Sequence, residues 1–167
     1  MCNIIEYMTK LHRKKSALTY VLLALIPYTK NNSYSYFKPN IFFNELEKDS
    51  GYSISTLRVS FSRAKDHRLI IIDGNNLSIS LKGRQIIQPF IANQLESDGQ
   101  LMVIFDIPED SAELRRKFRL LLRQLGFSQI QQSVWMSIQD HQQILIDSIN
   151  DLGLQGWVQL YKSNRIY

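Results

Sequence analysis

Three groups of residues have the type and spacing to act on a charged partner. In LMVIFDIPED, residues 101–110, Asp106 stands where an apolar run ends. That placement presents a carboxylate to a metal or a substrate, and it equally serves to begin a helix. In ISTLRVSFSRAKDHRL, residues 54–69, Ser55, Arg58, Ser62 and Lys65 are spaced three, four and three apart, so one polar ridge runs down a helix. In LRRKFRLLLRQLG, Arg115, Arg119 and Arg123 recur every fourth residue as a basic stripe. The histidines, His12, His67 and His141, are scattered and none stands in an HxxxH spacing. Glu109 and Asp110 fall where a helix begins, where acids meet its free N–H groups and dipole favourably.

The elements that must carry these groups follow from period and punctuation. A helix is expected from about Lys14 to Ile26, apolar nearly all round at Leu18, Val21, Leu22, Leu25 and Ile26. NNSYSYFKP at 31–39 reads as loop, and a short helix carrying Phe42, Phe43 and Leu46 stops at Gly51. Ser53 or Ser55 then caps a third helix whose buried stripe is Leu57, Phe61 and Ala64. LIIID and LSISL around Gly74, Asn75 and Asn76 read as a hairpin, and a helix over about Lys82–Ala92 closes this half. Helix, helix, turn, helix, hairpin is the order of a winged helix-turn-helix.

The second half has a different pattern. LMVIF is a buried strand, and Pro108 suits the first position of the helix that follows. Leu114, Phe118, Leu121, Leu122 and Leu125 form the core face of that helix, and Gly126 ends it. FSQI and SVWMS are strands turned at Gln131–Gln132; a helix near 139–151, Gly153 and the strand GWVQLY complete the chain. Strand, helix, strand, strand, helix, strand is the ferredoxin-like arrangement. Trp135 and Trp157 are expected in strands, filling a sheet core or a dimer interface. The polar stretch NQLESDGQ separates the halves, so the reading is a DNA-binding domain over 1–93, a linker over 94–100 and a dimerisation domain over 101–167.

Bulk composition narrows the class. The chain has 167 residues, 44% hydrophobic and 21% charged, as expected of a globular protein with a real core. Its longest apolar run, at 17–28, is too short for a membrane helix. One cysteine, Cys2, excludes an internal disulfide and fits a cytoplasmic protein. The net charge of +5 is uneven: thirteen Lys and Arg face seven Asp and Glu up to Glu96, and seven face eight thereafter. A basic first half beside a near-neutral second half points to a polyanionic partner for the first.

In a winged helix-turn-helix the third helix enters the major groove, where each base pair shows a distinct donor and acceptor pattern. With Leu57, Phe61 and Ala64 turned inward, Ser55, Thr56, Arg58, Ser62, Arg63 and Lys65 point outward as candidate DNA contacts. Lys82 and Arg84 follow the hairpin within reach of phosphates, with Lys30 and Lys38 as loop cations. Arg115, Arg119 and Arg123 are candidate phosphate contacts, set against the reading of a solvated face paired with nearby acids.

LMVIFDIPED, LRRKFRLLLRQLGF and QQSVWMS, in this order and spacing, resemble the carboxy-terminal part of PaaX-type transcriptional regulators. In that family a winged helix-turn-helix precedes a ferredoxin-like domain similar to CRISPR-associated protein two. STLRVSFSRAKDHRLI is similar to the family's recognition segment. The resemblance implies a dimeric transcriptional regulator, a repressor, whose partners are double-stranded DNA and a second copy of itself, with no cofactor required. The alternative it carries is a CRISPR adaptation subunit bound to an integrase, or a nuclease. There Asp106, paired with its copy across a two-fold axis, would hold magnesium and activate water. A winged protein-interaction module is the third class, and the charge asymmetry speaks against it.

Overall fold

The computed structural model describes residues 15–26, 39–73, 76–96 and 98–164, apart from the side chains of Asp73 and Asn76. Cys2, His12, Lys14, Lys30, Lys38 and the Gly74–Asn75 turn lie outside the described residues. The chain divides into two units, Met1–Ile87 and Gln88–Tyr167.

In the first unit α1 spans Ala17–Ala24, capped by Ser16, whose hydroxyl accepts the Thr19 N–H at 3.1 Å. α2 spans Pro39–Ser50 and α3 spans Ile54–Asp66. Only Gly51, Tyr52 and Ser53 separate them, and Gly51 adopts φ +71°, a left-handed conformation that reverses the chain without a Cβ penalty. Of the two expected caps for α3, Ser53 is the one used: its hydroxyl accepts the Thr56 N–H. Val21, Leu22 and Leu25 pack with Phe42, Leu46, Leu57, Ala64 and Ile87 in one core. Phe42, Phe43 and Phe61 meet edge to face with centroids 5.1–6.3 Å apart, which locks α2 onto α3.

The period then changes to that of strands. β1 (Ile70–Asp73) and β2 (Asn76–Ile79) pair antiparallel, Ile70 opposite Ile79, and α4 (Leu81–Ile91) follows. Three helices and a hairpin in this order form a winged helix-turn-helix-like bundle.

The second unit contains β3 (Gly99–Phe105), a 3-10 turn (Glu109–Ser111), α5 (Ala112–Leu125), β4 (Ser128–Gln131), β5 (Val134–Ser137), α6 (Gln142–Leu152) and β6 (Val158–Asn164). Its sheet order is β4-β5-β3-β6, antiparallel throughout, which is the ferredoxin-like βαββαβ arrangement. Along β3, Leu101, Val103 and Phe105 are buried and alternate with half-buried Met102 and Ile104, as the two-residue period of a strand requires. Phe105 meets Phe118 of α5 at 5.3 Å, and Trp135 is fully buried on the same face. Residues before β3 run beside the end of β5: Gln94 bridges Gln139, and the Leu95 N–H donates to the Ile138 carbonyl at 2.8 Å.

Four local expectations need correction. Pro108 is extended and precedes the 3-10 turn, so the α-helix starts at Ala112. The β4–β5 turn falls at Gln132–Ser133, because Gln131 still pairs with Val134. Leu114 is only half-buried. Trp157 precedes β6 and is 38% exposed; its carbonyl, not its indole, is what binds the sheet, by accepting the Asp106 N–H at 2.9 Å.

His141 is buried at the start of α6, its ring 5.4 Å from that of Phe127. Burial pushes its pKa down to about 4, against the opposing pull of the Asp140 charge and the Leu125 carbonyl. Neither ring nitrogen completes a hydrogen bond among the described residues. The unfolded chain therefore binds a proton between about pH 6.5 and about pH 4 that the folded chain refuses. Stability of the second unit should fall as pH drops through that window, by on the order of 3 kcal/mol. Urea unfolding followed by tryptophan fluorescence checks this, since both tryptophans lie in that unit. His141→Leu should flatten the slope; an unchanged slope would assign it to other groups.

Candidate nucleic-acid interface

α3 is held by its inner face and offers its outer one. Leu57 and Ala64 are buried and Phe61 is half-buried, while Ser55, Thr56, Arg58, Val59, Ser62, Arg63 and Lys65 are exposed. These outward residues are not equivalent. Ser55 and Thr56 hydroxyls lie 3.0 and 2.9 Å from the Ser53 hydroxyl, within the capping cluster. The Arg58 Nη2 donates to Asn40 Oδ1 at 2.8 Å, and its guanidinium lies 5.0 Å from the centroid of the Phe43 ring. Arg58 thus braces α2 against α3. Ser62, Arg63 and Lys65, on the later turns, make no side-chain hydrogen bond or ion pair among the described residues.

The end of α3 adds a cation that the helical pattern did not single out. Arg68 is exposed, with φ +56°, in the turn between α3 and β1. A reading that followed the helical face past Asp66 into HRL would have found it. The next residue ties three elements together: the Leu69 N–H donates to the Ala64 carbonyl at 2.8 Å and its own carbonyl accepts the Ser80 N–H at 2.9 Å. Helix, wing and the start of α4 are therefore fixed to one another. Lys82 is exposed on the first turn of α4, and Arg84 is half-buried two residues on.

The arginines of α5 come together. Arg115, Arg116, Arg119, Arg123 and Ala112 line a surface hollow of about 350 Å3. The Arg115 Nη2 donates to the Pro108 carbonyl at 3.2 Å, and the Arg119 Nη2 to the Gln132 carbonyl at 3.1 Å. Arg119 and Arg123 each lie 5.7 Å from an aromatic centroid, those of Phe105 and Trp135. None of the four is ion-paired to a carboxylate among the described residues.

Asp106 is exposed at the end of β3. Glu109 and Asp110 lie in the 3-10 turn, where Asp110 Oδ1 accepts the Ser111 hydroxyl at 3.2 Å. Among the described residues no group of three or more His, Cys, Asp or Glu lies together to hold a metal ion. A hard cation takes several oxygen ligands, and Asp106 is the carboxylate that one chain supplies at the end of β3. Asp106→Ala should leave duplex binding within about twofold, a difference below ~0.5 kcal/mol. Fluorescence anisotropy checks this, and a larger loss would place Asp106 in the interface.

The architecture defines a class: a winged helix-turn-helix-like bundle followed by a ferredoxin-like unit. Comparison with known families places the second part more narrowly, since residues 96–167 match the PaaX protein central Cas2-like domain. No curated protein and no solved structure matches the chain. Fold and match together are consistent with a regulatory, nucleic-acid-associated protein. Among the described residues no helix is long and apolar enough to cross a membrane.

Proposed function

We propose that this chain is a sequence-specific, DNA-binding transcriptional regulator of the PaaX type that acts as a dimeric repressor. The observation that carries the reading is the outer face of α3, which presents Ser62, Arg63 and Lys65 to solvent beside an antiparallel wing. A helix of this width fits the major groove, and arginine can bond guanine through two donors. Ser55, Thr56, Lys82 and Arg84 supply phosphate contacts that set the register. Arg58 acts by holding α2 and α3 at a fixed angle, through Asn40 and Phe43.

A single winged domain makes few phosphate contacts and binds weakly in salt, so specific recognition calls for two copies. Self-association is supported by the second unit. Its sheet ends in β6, a seven-residue edge strand, and Met102, Ile104, Val134 and Met136 form an apolar row opposite the buried face. Footprinting on DNA upstream of the gene and its neighbours tests the proposal. The expected result is one protected two-fold symmetric site with half-sites about one helical turn apart. Protection without sequence preference would contradict it.

The second reading, a CRISPR adaptation subunit or nuclease, draws on the Cas2-like match alone. Its nuclease form requires magnesium-dependent cleavage that disappears in Asp106→Ala.

A further inference from the structure

The hollow on α5 has features that a DNA-reading helix does not explain. Arg115, Arg116, Arg119 and Arg123 surround a space of about 350 Å3 with no carboxylate paired to any of them among the described residues. The one acid of the helix, Glu113, is taken by Lys117 at 2.8 Å. Like charges brought this close repel unless an anion sits between them. Two of the guanidiniums are also fixed in place. Arg115 and Arg119 each give an Nη2 proton to a backbone carbonyl, while their Nε donors are buried without an acceptor. A desolvated donor left unpaired is costly, and the folded chain retains two of them side by side.

From this arrangement we infer that the α5 hollow is a binding site for a compact polyphosphate: the phosphate chain of a small molecule, free or carried on a nucleotide. The hollow is an open one along a single helix, and its volume lies at the lower end of the small-molecule range of roughly 300–1,000 Å3. The guanidinium fork matches phosphate oxygens in pairs, and fixing it beforehand removes part of the ordering cost of binding. A phosphodiester track along DNA is the poorer fit. Tracking a duplex favours fully exposed cations along a ridge, whereas Arg115 and Arg119 are only partly exposed and are held against Pro108, Gln132 and Phe105. Arg116 and Arg123, the other two arginines that line the hollow, are exposed. The site goes beyond the DNA-reading role and does not rest on it, so failure of duplex recognition leaves it standing.

Calorimetric titration of the full chain at constant ionic strength tests the site, with inorganic pyrophosphate, orthophosphate and adenosine diphosphate as probes. Pyrophosphate is expected to bind at least about tenfold more tightly than orthophosphate, the margin of one further charge-assisted contact pair. Arg116→Ala and Arg123→Ala should each weaken it by roughly tenfold. Both side chains are exposed and make no backbone hydrogen bond that the fold needs, and Lys48→Ala, on α2 of the first unit, serves as the control that leaves pyrophosphate binding unchanged. Diphosphate on the nucleoside binding more tightly than pyrophosphate would identify a nucleotide ligand; equal affinity would identify the bare phosphate chain. Either result supports the site. Equal affinity for pyrophosphate and orthophosphate would overturn it, as would binding that survives both substitutions. Loss of duplex binding in the Arg116→Ala, Arg123→Ala double variant, without any pyrophosphate binding, would instead make the stripe a DNA contact.

Discussion

Replacing Arg63 and Lys65 together by alanine is expected to weaken binding to a cognate duplex by about a hundredfold, roughly 2.7 kcal/mol. Both side chains are exposed on the later turns of α3 and neither is engaged with another described residue. Their removal therefore deletes contacts with the partner while the inner face of α3 stays packed through Leu57, Phe61 and Ala64. A base contact by arginine contributes on the order of 1–3 kcal/mol of discrimination, and loss of a phosphate contact lowers the salt slope by about one. The double variant should accordingly lose sequence preference and show a salt slope lower by about one, with its unfolding midpoint unchanged. Arg58→Ala should behave differently. Deleting it removes the hydrogen bond to Asn40 and the stacking on Phe43, so its loss of affinity comes with a measurable loss of stability. Equal thermal midpoints for Arg58→Ala and the parent would contradict the bracing role.

Gly83→Ala should destabilise the first unit by about 3 kcal/mol, at the upper end for overpacking. A Cβ at Gly83 would stand 2.4 Å from the Leu69 carbonyl oxygen and 2.7 Å from Ile79 Cγ1. A backbone carbonyl cannot swing aside as a side chain would, and this one already accepts the Ser80 N–H. Relief would have to come from moving α4 away from the wing, at the junction that fixes α3 to the hairpin. For a unit of this size the midpoint should fall by on the order of 15 °C, measured by circular dichroism. A change within a couple of degrees would mean that the wing and α4 are not packed as tightly as described.

Much of this was legible from residue types and spacing. The stripe Leu57, Phe61, Ala64 fixed which face of α3 turns inward, because the helical period leaves no alternative once three apolar residues share a side. The unbroken apolar run LMVIF, which reads as a buried strand, and the two short strands turned near Gln131–Gln132 foretold the ferredoxin-like order. What stayed hidden depends on contacts distant in sequence. Nothing in ISTLRVSF tells that Arg58 reaches Asn40, eighteen residues back. Nothing in LKGRQ marks Gly83 as the point where α4 touches a carbonyl. Arg116 falls off the every-fourth-residue stripe, and its long side chain nonetheless lines the hollow. Trp157 was expected inside by residue type, yet it is the Trp157 backbone that the sheet uses.

In the proposed function the outer face of α3 reads DNA sequence. Selection of bound duplexes from a random library by the purified full chain tests it most directly, run in parallel with Arg63→Ala and Asp106→Ala. One two-fold symmetric sequence should be enriched by the parent and by Asp106→Ala, whereas Arg63→Ala should enrich none or a relaxed version of it. Recovery of duplexes without any common sequence, or the same enrichment by Arg63→Ala as by the parent, would contradict it.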